Sequence, residues 1–157
     1  MTRRGASLRP RWLTPEGTLD LEEFPIDSVL RQALDADPQR FRAGCTLLAS
    51  MAASGRTEAG VFLVGVFHHY AGDRSRQEAV VEQLQHVPHP AAATVLLAEL
   101  RRVKSSNSTR RYLDRVLRSL TSLPRALVAE ALGELAADTS FSPRMRAKLR
   151  AALAELC

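Results

Sequence analysis

The sequence predicts an all-α fold, a right-handed α-solenoid of about four antiparallel helix pairs with an irregular N-terminal arm. Three observations lead to this prediction. Aromatic residues make up only 5% of the 157 residues, and a core rich in Leu, Ala and Val suits closely packed helices better than a β-sandwich. Apolar residues recur with helical periodicity beyond residue 25. Apolar positions also recur every 36 residues.

The chain divides into two predicted parts at Pro25. Residues 1–25 lack helical periodicity and contain several prolines, so we expect an arm that docks through apolar side chains such as Trp12 and Phe24. Residues 26–157 form the predicted helical-repeat domain. Its helices are expected at about residues 26–36, 38–54, 57–71, 74–87, 90–104, 108–122, 124–138 and 142–156.

One apolar segment, Val61–Phe67, is ambiguous because its valines and phenylalanines also suit a buried strand. We predict a helix, since a lone strand would have no partner elsewhere in the chain. A helix that is apolar on all sides fits the middle of a stacked array. Gly60 and Gly65 would then allow neighbouring helices to approach closely.

The 36-residue spacing occurs in two series of apolar residues. Both series fall in every second predicted helix, which indicates that a two-helix unit repeats along the chain. Units of this size cannot bury an apolar face alone, so we expect them to stack into one continuous core. The first series is Cys45, Val81, Leu117 and Leu153, and the second is Leu48, Leu84, Leu120 and Leu156.

In this organisation the chain resembles HEAT-like α-helical repeat proteins over residues 26–156. The segment Gly72–Leu84 is similar to the loop and second helix of a bacterial HEAT unit, in which a Gly-Asp turn precedes an amphipathic helix. Later units carry Ser105–Asn107 and Ser140–Ser142 in place of that turn. Tetratricopeptide repeats have a similar period, but their Trp, Leu-Gly and Tyr landmarks are missing. The resemblance implies a scaffold that binds other molecules.

The charge balance favours an anionic partner, because the formal net charge is +5 and the sequence pI is about 10.0. We expect a cytoplasmic protein without a membrane partner. The longest strongly apolar run is far shorter than the roughly 20 residues that cross a bilayer. No apolar stretch follows Arg3 and Arg4, so we predict no signal peptide. Cys45 falls on an apolar helical face and is predicted to be a buried thiol.

Arginines are concentrated at the predicted starts of the second helix of each pair. A cation there opposes the helix dipole, and the unpaired amides of a first turn attract anions. In a solenoid these first turns line one edge. Cations at the end of a preceding helix would extend the row of positive charges along that edge. The alternative is that exposed arginines only keep the protein in solution. The candidate partner-binding residues are Arg74, Arg76, Arg101, Arg102, Lys104, Arg110, Arg111, Arg144 and Arg146.

Neither a metal site nor a catalytic site is predicted. The four histidines His68, His69, His86 and His89 are expected at opposite ends of a helix pair, too far apart for one zinc ion. Some bacterial HEAT-like proteins are DNA glycosylases, and that resemblance implies a basic cleft with aromatic, Asp and Arg residues. The chain matches only the basic part, because its single tryptophan, Trp12, precedes the repeats. We predict a protein that is not an enzyme and has no cofactor.

Two functions from different classes remain open. The first is an adaptor that uses its helical-repeat surface to bind a protein partner, as a monomer or weak dimer. The second is sequence-nonspecific binding of nucleic acid through the arginine-rich edge. Few aromatic residues are present for base stacking, so this second function would rest on contacts with the nucleic-acid backbone.

Overall fold

The computed structural model describes residues 9–156, and this part of the chain contains eight α-helices and no β-strand. Every helix lies within its predicted segment, so the all-α class and the helical assignment of Val61–Phe67 are confirmed. No helix in the described range is long and apolar enough to cross a membrane. The helices are α1 Ile26–Ala33, α2 Pro38–Ala53, α3 Thr57–His69, α4 Arg74–Leu84, α5 Pro90–Arg102, α6 Arg110–Thr121, α7 Arg125–Ala137 and α8 Pro143–Glu155.

The helix ends follow from local sequence. Pro38 occupies the first position of α2, where its missing amide proton has no intrahelical role. The Ser142 hydroxyl caps α8 by accepting a hydrogen bond of 3.1 Å from the amide of Met145. Gly55 and Gly72 follow α2 and α3 with φ of +108° and +90°, a conformation that glycine adopts without strain.

The helices contact one another in two interleaved series. The even-numbered helices α2, α4, α6 and α8 contact in that order, and so do the odd-numbered helices α1, α3, α5 and α7. Strong contacts also join α1 to α2, α2 to α3 and α7 to α8. Each even-numbered helix therefore contacts the next even-numbered helix, and the sites described below involve residues of these helices.

Buried side chains from both series of helices form the core, which contains the predicted leucine series. Leu48, Leu84 and Leu120 are fully buried. The helices that carry them begin at positions 38, 74 and 110, a constant step of 36 residues. The last even-numbered helix begins at position 143, only 33 residues further on. The 36-residue step thus holds for three helix starts, and Leu156 falls just after the end of α8.

Close packing depends on glycine at two positions. A Cβ added to Gly60 would lie 2.7 Å from Cγ1 of Val87 in the loop between α4 and α5, and 3.6 Å from Cβ of Ala52 on α2. The close neighbour of Gly60 is therefore a loop side chain and not the neighbouring helix that the prediction named. At Gly65 such a Cβ would meet no atom of the described residues within 4 Å, so the prediction for Gly65 is wrong because its face of α3 is exposed. The closest contact is at Gly44 on α2, where an added Cβ would clash with the backbone nitrogen of Ala33 on α1 and lie 2.7 Å from the Cα of that residue.

The described part of the predicted arm, residues 9–25, contains no helix. An isolated antiparallel bridge joins Leu13 to Leu19, and the rings of Trp12 and Phe24 meet edge to face at 5.2 Å. Phe24 also packs against the core, and Arg56 donates a hydrogen bond to its carbonyl oxygen. The predicted docking through apolar side chains is therefore present at Phe24. Residues 1–8 of the predicted arm lie outside the described residues.

Candidate partner-binding edge

Two loops form a pocket at one edge of the molecule, namely the loop between α5 and α6 and the loop between α7 and α8. We call it the edge pocket; its volume is about 470 Å³, within the range of sites that bind small ligands or side chains. Polar residues form its rim, among them Arg101, Lys104, Asp138 and Ser140. Its floor consists of buried or half-buried apolar side chains, which are Leu100, Val103, Leu113, Phe141 and Met145.

A second concavity, the basic cleft, adjoins the edge pocket between the first turns of α6 and α8. Its volume is about 60 Å³, and its charged lining residues are Arg110, Asp114, Arg144 and Lys148. The two concavities share four lining residues and are therefore continuous. The shared residues are Ser105, Leu113, Ser142 and Met145.

The cations of the basic cleft differ in how far they are neutralised. Lys148 pairs with Asp114, with 2.9 Å between Nζ and Oδ1. Arg110 donates only a long hydrogen bond of 3.3 Å to the side-chain oxygen of Asn107. Arg144 makes neither an ion pair nor a side-chain hydrogen bond within residues 9–156. Arg110 and Arg144 thus retain their capacity to bind an anion.

Among residues 9–156, Asp138 carries the one carboxylate on the rim of the edge pocket. Its oxygen accepts a hydrogen bond of 2.9 Å from the Ser140 amide, which orders the turn between α7 and α8. Hydrogen bonds from Ser140 and the nearby charge of Arg101 lower the pKa of Asp138. Asp138 is therefore ionised at neutral pH and offsets Arg101, while Lys104 adds positive charge to the rim.

The structure brings together four of the nine predicted partner-binding residues. Arg101 and Lys104 line the edge pocket, and Arg110 and Arg144 line the basic cleft. Arg146 lies in the same turn of α8 but is half-buried, and its Nε has no hydrogen-bond partner within residues 9–156. The remaining predicted residues, Arg74, Arg76, Arg102 and Arg111, do not line either concavity.

Arg76 connects α4 to the loop that follows α1, and these contacts occupy its guanidinium. Its guanidinium donates hydrogen bonds to the carbonyl oxygens of Asp35 at 2.9 Å and Ala36 at 2.7 Å. It also lies 4.6 Å from the ring centroid of Phe41 and 3.3 Å from the hydroxyl of Tyr70. Because these contacts leave only 17% of the side chain exposed, Arg76 has a structural role.

Arg74 and Arg102 belong to a network around the buried Glu99, a residue that sequence analysis did not single out. Glu99 accepts hydrogen bonds from the Tyr112 hydroxyl at 2.6 Å and from Arg102 at 2.8 and 2.9 Å. The guanidinium of Arg74 lies 4.1 Å from the centre of the Tyr112 ring. Burial opposes ionisation of Glu99, but these hydrogen bonds outweigh it, so the pKa of Glu99 is lowered. The network ties α4, α5 and α6 together.

Replacing Glu99 with glutamine is expected to lower the free energy of unfolding by about 2 kcal/mol at pH 7, because Arg102 and Tyr112 lose a charged acceptor. Because the pKa of Glu99 is lowered on folding, its stabilising effect is present above the ordinary value of 4.5. That effect is lost as the pH falls through the lowered pKa. Urea unfolding across a pH series should show the two proteins converging in acid, and a constant difference would contradict this account.

Arg111 faces a separate concavity, the central groove, of about 480 Å³ between α2, α4 and α6. The charges along this groove are largely paired with one another. Arg115 lies 3.4 Å from Glu78 and 3.1 Å from Glu82, and Arg111 lies 3.7 Å from Glu78. Arg42 on α2 adds a further cation to the lining. The groove is therefore of mixed charge, unlike the basic cleft.

Cys45 contributes to the lining of the central groove but is 1% exposed, as predicted for a thiol on an apolar helical face. Burial raises its pKa to about 12, although the charge of Arg76 opposes this shift. The thiol is therefore protonated at neutral pH. A protonated, buried thiol is a poor nucleophile, so Cys45 acts as a small core residue.

The histidines do not converge in the structure. His89 lies beside Gly60 near the start of α3, whereas His68 and His69 are at the end of that helix. The Nδ1 atom of His89 accepts a hydrogen bond of 3.0 Å from the Ala91 amide and caps α5. Within residues 9–156, no group of three or more His, Cys, Asp or Glu side chains is placed to hold a metal ion.

The edge pocket and basic cleft are thus a continuous concavity in which an apolar floor adjoins two cations without carboxylate partners in the described chain, Arg110 and Arg144. This arrangement can bind an anionic group and an apolar group side by side. No protein-family model, curated protein or solved structure matches the chain.

Proposed function

We propose that the protein is a non-catalytic adaptor that binds an acidic segment of a protein partner at the edge pocket and basic cleft. The observation that carries this proposal is the continuity of the apolar floor of the edge pocket with Arg110 and Arg144, which have no carboxylate partner within residues 9–156. Guanidinium groups pair with carboxylates through two parallel hydrogen bonds, and apolar contacts exclude water around such pairs. An acidic polypeptide offers both kinds of contact.

The proposed scaffold for this site is a HEAT-like α-solenoid of about four antiparallel helix pairs, comprising residues 26–157 and preceded by an arm of residues 1–25. The two interleaved series of helix contacts support the stacking. The constant step between the starts of α2, α4 and α6 supports a repeated unit. We further propose that the protein is a monomer or weak dimer and is located in the cytoplasm.

The distribution of charge favours an acidic protein segment over a nucleic acid. Glu78 and Glu82 interrupt the arginines of the even-numbered helices and pair with Arg115, and Asp114 pairs with Lys148. These carboxylates would repel a continuous phosphate backbone at several points along its path. A short acidic segment needs only the local cations at the edge.

The second candidate function is sequence-nonspecific binding of nucleic acid. It is favoured by one observation, a shallow groove of about 390 Å³ along α6 that is lined by four arginines and one aspartate. Arg110, Arg111 and Arg118 are exposed there. Binding of this kind releases cations that are bound to the nucleic acid, and this release is less favourable at high salt. The affinity would therefore fall steeply as the salt concentration rises.

Fluorescence anisotropy with a labelled peptide of glutamate and serine tests the adaptor function. The test variant replaces Arg101, Arg110 and Arg144 with glutamate. We expect it to lose about 30-fold in affinity, since three attractive contacts become repulsive. A labelled DNA duplex measured in parallel tests the second candidate function.

The matched control is a second triple variant that has the same net charge but changes exposed arginines away from the edge. It replaces Arg11, Arg31 and Arg150 with glutamate. The control should keep most of the affinity for the peptide, and both variants should keep the melting temperature of the original protein. Equal loss in the two variants would show that net charge, and not the edge, determines binding. Tight, salt-dependent binding of the duplex alone would favour the second candidate.

A further inference from the structure

The apolar floor of the edge pocket offers contacts that the carboxylates of an acidic partner cannot make. Leu100, Leu113 and Met145 are buried in this floor, and Phe141 is half-buried. A pocket of about 470 Å³ accommodates one large side chain together with its backbone. Water over such a floor gains few hydrogen bonds, so an apolar group that displaces it gains free energy.

The cations around this floor indicate what kind of molecule supplies the apolar group. Arg101 and Lys104 stand on the rim of the pocket, and Arg110 and Arg144 stand in the adjoining cleft. Asp138 is the single carboxylate that the described part of the chain places on the rim, so positive charge predominates. An apolar group that enters here is therefore favoured if negative charges accompany it on both sides.

We propose that the edge pocket holds one large apolar side chain of the partner, an aromatic residue or leucine, within an acidic segment whose carboxylates bind Arg110 and Arg144. This inference rests on the proposed adaptor function and adds the feature that sets its specificity. Anchor residues of this kind contribute much of the binding energy at protein interfaces, while surrounding charges set orientation and the rate of association. An acidic segment that lacks the anchor binds at the same edge but more weakly.

Two labelled peptides test the inference. Both contain glutamate and serine, and one has a phenylalanine at its centre where the other has serine. Burial of one phenylalanine side chain should strengthen binding to the original protein by about tenfold. This comparison uses the unaltered protein, so it does not depend on how any variant folds.

A pocket-filling variant locates the effect. Ser140 is exposed and lines the edge pocket but not the basic cleft, so Ser140→Trp should remove the advantage of the phenylalanine peptide and leave the serine peptide unaffected. The control is Thr139→Trp at the neighbouring exposed position, which lines neither concavity and should change neither affinity.

The outcomes separate this inference from the adaptor function. Equal affinity for the two peptides, with dependence on Arg110 and Arg144 intact, would overturn the anchor and leave the adaptor standing. Loss of that dependence for both peptides would overturn both. If a second copy of the chain is the occupant, sedimentation will show a dimer that Ser140→Trp dissociates, and that result would also overturn the inference.

Discussion

Replacing Gly44 with alanine is expected to lower the free energy of unfolding by about 3 kcal/mol, at the upper end of the usual effect of overpacking. The added methyl group would lie 2.7 Å from Cα of Ala33 and 2.8 Å from the carbonyl carbon of Gln32. Both are backbone atoms of α1, so the clash is relieved only by moving a whole helix. Urea unfolding followed by circular dichroism measures the change.

Gly65 provides a matched control for this substitution. It also lies within a helix, but its face of α3 is exposed, and an added Cβ would have no neighbour within 4 Å in the described range 9–156. Gly65→Ala should therefore stabilise the protein by up to about 1 kcal/mol, because alanine has the higher helix propensity. If the two substitutions shift stability alike, α1 and α2 do not pack as described.

Replacing Arg76 with alanine has the second large effect, an expected loss of about 3 kcal/mol in the free energy of unfolding. The carbonyl oxygens of Asp35 and Ala36 would lose their charged donor. The guanidinium would also no longer cover the rings of Phe41 and Tyr70. Thermal and urea unfolding of the purified variant measure the loss.

The control for Arg76 is Arg74→Ala, which changes the arginine two positions earlier in the same first turn of α4. Arg74 is exposed and its principal contact is the face of Tyr112. Its loss should cost about 1 kcal/mol or less. Similar costs for the two arginines would mean that Arg76 does not hold α4 against the end of α1.

The helices were predictable because their signals are local. In α6 the apolar residues Tyr112, Val116 and Leu120 follow the helical period, and all three are buried. Pro38 and Pro143 mark helix starts for a steric reason that does not depend on tertiary structure. The 36-residue step, in contrast, ends before α8, where the helix begins three residues early.

The site was only partly predictable, because the sequence places arginines on helix turns without giving their partners. Arg76 and Arg110 occupy corresponding first turns, yet Arg76 binds carbonyl oxygens of the loop between α1 and α2, and Arg110 faces the basic cleft. The edge pocket combines Leu100 with Phe141, which are distant in sequence. Only tertiary structure brings such residues together, and the same holds for the contact between Gly44 and α1.

Mapping the bound peptide on the protein tests the central claim most directly. Isotope-labelled protein would be titrated with the acidic phenylalanine peptide while backbone amide signals are followed by nuclear magnetic resonance. We expect the largest shifts in residues 100–105, 110–114 and 138–145, which form the edge pocket and basic cleft. Largest shifts instead along Arg42, Glu78 and Arg115 in the central groove would contradict the proposal that the edge is the binding site.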